Sequence, residues 1–425
     1  MPERDLDARL LSAVDADAAV ALLQQAVRTP SVTGDEGAFA RLVAKELEAS
    51  GADEVHIEEA APGRPVVWSV TRGTGGGRSL MLSGHLDTVH VEGWRERWAG
   101  TVREDPFAGA IVDGELWGRG SVDLKAGICA SLAALHSLAR AKARLRGDVV
   151  TAWVCDEESG EEGMGRSIGM ALIADRIATG LIPRSDFAIY TEPSGLAVYS
   201  AQMGFFIADI EITGRSAYFG RPELGADALK AAHRVLDALW KHSDDIAARG
   251  KHPLVGRAFL VVGSAQAGGY IAVPGQASLS LIRKLLPGGD LAAAAAELKA
   301  IVHDAATAPG IEATVTFPAA RDHAVGGLPS ETRRDDDSLQ RLQAALHHVR
   351  PDAGALEGAP FWAEMSFLER AGIPCVYCGP GDISNAHTSE ERVPVDEFVD
   401  GVRALALFTA HHCGVEPHDR EGAMT

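Results

Sequence analysis

The chain has 425 residues, too many for one ordinary hydrophobic core, and this length predicts two domains. Apolar residues make up 46% and charged residues 23%, which excludes disordered and fibrous classes. Forty basic residues against 59 acidic ones leave a net charge of −19, which argues against nucleic acid or an anionic membrane surface as the main partner. The five cysteines are sparse and odd in number, and the acidic start MPERDLDARLL has no secretory pattern. Together these predict reduced thiols in a cytoplasmic protein. No stretch reaches the roughly 18 consecutive apolar residues of a membrane span.

Apolar positions recur at helical spacing over 5–27 and again over 35–50. Strand-like segments follow at 54–59, 65–71 and 79–84. The stretch 105–118 reads as a hairpin bending at Asp113-Gly114. A helix over 124–140, a buried strand over 148–155, a helix near 165–178 and a strand at 186–191 complete an alternation. This alternation predicts a mostly parallel sheet with helices on its faces. After residue 198 the order becomes strand 204–213, helix 225–242, strands 257–263 and 277–285, helix 290–307 and strand 311–317. That is the split βαβ signature of a ferredoxin-like α+β domain. Helix 337–348, strand 373–377 and helix 395–412 resume the first pattern. The reading is an α/β catalytic domain over 1–198 and 328–425, interrupted by an inserted α+β domain over 199–327.

Five segments fall at or just beyond strand ends: SGHLDTV (83–89), GRGSVDLKAG (118–127), CDEESG (155–160), YTEPSG (190–195) and SNAHTSEER (384–392). In open α/β sheets, ligands bind outside the carboxyl ends of the strands. Five separate loops would bring His85, Asp87, Asp123, Glu157, Glu158, Glu192 and His387 to one rim. Carboxylates gathered there would repel unless positive charge compensates them. Two divalent cations, zinc or manganese by the His and carboxylate donor set, would supply it. Paired cations acidify a shared water, Glu157 is placed to take its proton, and Asp87 to orient His85.

Taken jointly, GHLDTV, GRGSVDLKAG, DEE, TEP and the late Ala-His resemble the co-catalytic metallopeptidase family. That family includes aminoacylase, carboxypeptidase G, acetylornithine deacetylase and succinyl-diaminopimelate desuccinylase. The resemblance implies one metal on His85, Asp123 and Glu192 and a second on Asp123, Glu158 and His387, so one or two divalent ions per subunit. It implies Glu157 as general base and Asp87 as orienter of His85. It also implies a lid and dimerisation role for the inserted domain, and hence a homodimer acting on a small molecule.

Two positions depart from the family pattern. Tyr218 stands where relatives carry a histidine that stabilises the oxyanion, and Ile271 where they usually carry asparagine. Losing such a donor typically costs 10²–10³ in rate. The departure favours a substrate whose charge develops inside an electron-poor ring, as in the branch of the family that converts 5-nitroanthranilate to 5-nitrosalicylate and ammonia. The alternative is an N-acyl amino acid deacylase, carboxypeptidase or dipeptidase. Arg215 and Arg283 are candidate clamps for a substrate carboxylate, and the role of Glu364 is open. Cys375 and Cys378 have CxxC spacing without a second pair, which predicts buried thiols rather than a zinc knuckle.

Overall fold

The computed structural model describes residues 3–158 and 165–417. Ser159 and Gly160, the end of the CDEESG segment, lie outside the described residues. The chain separates into two compact units. One is built from Met1–Ser200, Thr332–Glu357 and Ala363–Thr425, and the other from Ala201–Glu331 with Gly358–Trp362. The short segment 358–362 thus joins the inserted unit, whereas the sequence pattern placed it in the catalytic domain.

The first unit is organised by a nine-stranded sheet. Its centre runs in the order Val149–Val154, Leu80–His85, Phe187–Tyr190 and Cys375–Tyr377, all parallel. Glu54–Ala61 and Arg64–Thr71 extend it as an antiparallel pair. The strands Leu80–His85, Val149–Val154 and Phe187–Tyr190 are buried along their whole length, as runs without polar alternation require when helices cover both faces.

The expected helix over 5–27 is two helices, Glu3–Ser12 and Ala16–Val27. Asp15 ends the continuity because its side chain accepts the N–H of Ala18, an N-cap that starts a new helix. The Asp113-Gly114 turn takes positive φ at both residues (53° and 82°), as a two-residue hairpin between Ala110–Val112 and Glu115–Trp117 demands. Elements without a periodic signal include the strand Val198–Gln202 and the six-residue helix Met365–Arg370.

The second unit is a four-stranded antiparallel sheet. Its order is Phe259–Ala267, Gln276–Leu285, Gly204–Thr213 and Glu312–Thr316, which is the ferredoxin-like arrangement. Two helices, Ala228–Ala248 and Leu291–Ala306, cover one face. Alternate residues of Gly204–Thr213 (Phe206, Ala208, Ile210, Ile212) meet Val235 and Leu239 of one helix and Leu298 and Val302 of the other in a single core. No single described helix is long and apolar enough to cross a membrane.

Candidate metal centre

Each candidate ligand is delivered by its own loop of the first unit. His85 is the last residue of Leu80–His85. Glu157 and Glu158 follow Val149–Val154, and Glu192 lies two residues past Phe187–Tyr190. Because these strands are adjacent and parallel, their ends share one edge. Asp123 precedes the helix Lys125–Arg140, and Gly127 on that helix explains how the two sides come so close. A Cβ at Gly127 would lie 2.2 Å from the carbonyl oxygen of Thr191, the residue before Glu192.

The side chains converge into two overlapping trios, His85 with Asp123 and Glu192, and Asp123 with Glu158 and His387. The donor atoms of each trio lie within 4.8 Å of one another. His85 Nε2 is 3.1 Å from Asp123 Oδ1 and 3.6 Å from Glu192 Oε1. His387 Nε2 is 3.1 Å from Asp123 Oδ2 and 3.0 Å from Glu158 Oε1. The two oxygens of Asp123 therefore face different histidines. His85, Asp123, Glu158 and Glu192 are buried, while the His387 side chain is half-exposed.

This donor set suits divalent cations on two grounds. His85 Nδ1 lies 2.9 Å from the main-chain oxygen of Asp87. A carbonyl only accepts, so Nδ1 carries the proton, and in the neutral ring Nε2 presents a lone pair to the Asp123 and Glu192 oxygens. Lone pair against carboxylate is repulsive unless a positive charge lies between them. The carboxyls report the same deficit. Burial, reinforced by Glu158 and Glu192, pushes Glu157 well above the ordinary range. Burial, reinforced by Asp123 and Glu158, does the same to Glu192. Asp123 goes the other way: burial opposes its ionisation, but with His387 and His85 protonated their hydrogen bonds hold it well below the usual carboxylate range, and with neutral rings that positive charge has to come from a cation.

Asp87 corrects an expectation. Its carboxylate was expected to accept the free ring N–H of His85, but Oδ1 is 3.7 Å from Nδ1, and the main-chain oxygen of Asp87 takes that bond. The carboxylate instead accepts the N–H of Glu158 at 3.0 Å and of Glu157 at 3.3 Å, with the Thr33 hydroxyl at 3.0 Å. Burial pushes its pKa up to about 7. A further layer supports the same turn. Asp156, at φ 69°, accepts from Gly165 and Arg166 and pairs with Arg64, which also holds the buried Glu36. Thr33, Glu36 and Arg64 carry no motif and escaped sequence reasoning.

Glu364 is fully buried and accepts the Tyr190 hydroxyl at 2.8 Å. Burial raises its pKa to about 7. Its charge also acts on Glu157 and Glu192, so it belongs to this acidic cluster.

The remaining candidates lie in the second unit. Arg283 is not a free clamp. It is buried, its Nη1 and Nη2 each donate to Glu297 at 3.0 Å, and Nη1 also donates to the carbonyl of Ala294. The strand alternation turns it into the core under the two helices, where a guanidinium must find internal partners. Arg215 is exposed, with Nε bonded to the carbonyl of Leu224 at 2.8 Å. Tyr218 and Ile271 come together on adjacent segments, since Tyr218 bridges to Ala272 and the Ala217 carbonyl accepts the N–H of Val273. Both are exposed, as are Phe219 and Tyr270. Cys375 and Cys378 are buried and unpaired, as predicted.

The sequence profile of peptidase family M20/M25/M40 matches residues 81–411. Acetylornithine deacetylase of Myxococcus xanthus is 27% identical over 379 residues, covering 87% of this chain and 90% of the relative. Succinyl-diaminopimelate desuccinylase of Methylobacterium sp. is 32% identical over 227 residues, 52% of this chain and 54% of the relative. Among solved structures, aminopeptidase PepT from Bacillus cereus superposes with a TM-score of 0.72 at 17% identity, covering 94% of this chain and all of that one, a likeness of fold. The chain belongs to peptidase family M20/M25/M40 and is a metal-dependent hydrolase acting on C–N bonds.

Proposed function

We propose that the chain hydrolyses the amide bond of a small N-acylated amino acid or dipeptide bearing a free carboxylate. It would do so at a centre where His85, Asp123 and Glu192 hold one divalent cation and Asp123, Glu158 and His387 a second. The observation that carries this reading is Asp123, whose two oxygens each stand 3.1 Å from a different histidine. Zinc or manganese fits the histidine and carboxylate donors. When bound, such cations supply Lewis acidity and lower the pKa of water.

The protein's own groups supply the rest. Glu157 belongs to neither trio and adjoins Glu158, so its carboxylate is free to take the proton of the attacking water. The water oxygen bonds to the acyl carbon, and the same proton passes from Glu157 to the departing nitrogen as the C–N bond breaks. Asp87 keeps Glu157 and Glu158 in register through their main-chain N–H groups. The relatives named as deacetylase and desuccinylase support an N-acyl amino acid as the substrate class.

A second reading, hydrolytic deamination of an electron-poor aromatic amine such as 5-nitroanthranilate, is favoured by one observation. Tyr218, Phe219, Tyr270 and Ile271 expose an aromatic and apolar surface where relatives carry a polar donor. A product assay separates the readings. Acetate released from N-acetyl amino acids supports the first, and ammonia released from 5-nitroanthranilate supports the second and overturns the first.

A homodimer formed through the second unit is part of the proposal. Phe259–Ala267 is an edge strand of its sheet, with Phe259 and Val261 exposed, and such edges pair with other strands. Five buried, unpaired cysteines fit a cytoplasmic location.

A further inference from the structure

We infer that Glu391 is the positioning residue that aims Asp123 between His85 and His387, with Arg119 as its counter-charge. The inference rests on the reading of Asp123 as the shared ligand.

Glu391 is fully buried and lies four residues after His387, in the loop that delivers that histidine. Its carboxylate reaches the other loop. Oε1 accepts the main-chain N–H of Asp123 at 3.1 Å and of Val122 at 3.2 Å. Oε2 is paired with the guanidinium of Arg119. The main-chain oxygen of Glu391 accepts the N–H of Gly118 at 3.2 Å. One residue thus ties four points of the segment 118–123, and the Asp123 tie is at the ligand itself.

Arg119 is itself fixed. It is buried, donates from Nε to the His90 carbonyl at 3.0 Å, and lies 5.6 Å from the centre of the Trp94 ring. The Glu391 carboxylate therefore has a rigid partner rather than a mobile surface cation, and its direction is determined.

Stability gives a poor account of this arrangement. A buried ion pair costs about as much desolvation as its attraction returns. Its placement says more. Both loops must present nitrogen and oxygen donors to common points, and ligand sets hold only when their supports fix them to within about 0.5 Å. His387 sits at φ 59°, a left-handed conformation rare outside glycine, so its loop needs external anchoring. Glu391 anchors it to the segment carrying Asp123, one of the two carboxylates that His387 faces. Glu391 is in neither ligand trio, so it acts through Asp123 and not by direct coordination.

The test is Zn²⁺ affinity, measured by competition with a chromogenic chelator for wild type, Glu391→Gln, Glu391→Ala and Arg119→Met, alongside kcat, KM and the melting temperature of the metal-free proteins. Glu391→Gln keeps the shape and one acceptor while removing the charge. The expected result is Zn²⁺ binding weakened about 10–100-fold in Glu391→Gln and further in Glu391→Ala, the range seen when groups supporting a metal ligand are removed. A fall in kcat with little change in KM should accompany it, and the metal-free variants should melt below wild type because each leaves one buried charge of the Glu391–Arg119 pair uncompensated. If Glu391→Ala does not fold, the near-isosteric glutamine variant carries the test alone. Zn²⁺ affinity of Glu391→Gln within twofold of a tightly binding wild type overturns this inference and leaves the metal centre standing. A wild type that binds no Zn²⁺ overturns the metal-centre reading, and this inference with it.

Discussion

The carboxylate of Asp87 accepts the main-chain N–H of Glu158 at 3.0 Å, while its carbonyl oxygen lies 2.9 Å from His85 Nδ1. A single residue therefore sets the tautomer of one candidate ligand and the backbone of another. The division of labour predicts an asymmetry. Asp87→Ala should keep the His85 contact, which is main-chain, but strand the N–H groups of Glu157 and Glu158. Metal affinity or kcat should fall about 10–100-fold. Asp87→Asn, which retains one accepting oxygen, should fall less. The kinetics and metal content of both variants check this, and equal losses in the two would refute the backbone role.

Glu157 is assigned the proton and not the metal. Glu157→Gln should bind divalent metal like wild type and lose about 10²–10⁴ in kcat. Metal analysis of the purified variant beside its turnover separates the roles, and a variant that loses metal would move Glu157 into the ligand set.

Arg283 is committed to the interior of the second unit through Glu297. Arg283→Met should therefore lower stability by about 1–3 kcal/mol, the cost of leaving buried partners unsatisfied. KM for a carboxylate substrate should stay near wild type. A large rise in KM with unchanged melting would restore the clamp role that its position in the sequence suggested.

Glu297 gives a pH signature. Hydrogen bonds from Arg249 and then Arg283 hold its pKa down at about 2, against 4.5 for a free glutamate. A depressed folded-state value stabilises the fold above pH 4.5, and that contribution disappears as pH falls through about 2. The stability gap between wild type and Glu297→Gln should be full near neutrality and should close between pH 4.5 and 2, as denaturant titrations at stepped pH would read. A gap independent of pH would show that the ion pairs do not set it.

Ile271 occupies φ 52°, where a β-branched side chain is strained and asparagine is at ease. Ile271→Asn should raise stability by about 1 kcal/mol, the order of the left-handed penalty. Under the amide reading it should also raise amidase turnover by restoring a donor. A melting temperature unchanged or lowered would contradict the strain.

The legible part of the molecule was what repeats or clusters. Continuous apolar strands such as Phe187–Tyr190 and the alternating Gly204–Thr213 announced both sheets, because burial on two faces or one dictates those patterns. The five loops were legible since acidic residues and histidines gathered at strand ends are costly without a purpose. Glu391, Thr33 and Arg64 were not, because a residue that acts on another segment's main-chain N–H or carboxylate needs no neighbour in sequence and leaves no spacing. Arg283 misled for the opposite reason. Basic residues look available until the strand's alternation shows which face they occupy. The break at Asp15 was hidden because the apolar period continues across it, and only the cap geometry ends the first helix.

The measurement that bears most directly on the two-cation centre is metal content against activity in wild type, His85→Ala, His387→Ala and Asp123→Ala. Two divalent ions per chain in wild type, one in each histidine variant and none in Asp123→Ala is the predicted result, with chelation abolishing hydrolysis and added metal restoring it. Full activity in a chain stripped of metal, or an Asp123→Ala variant that still binds two ions, would contradict it.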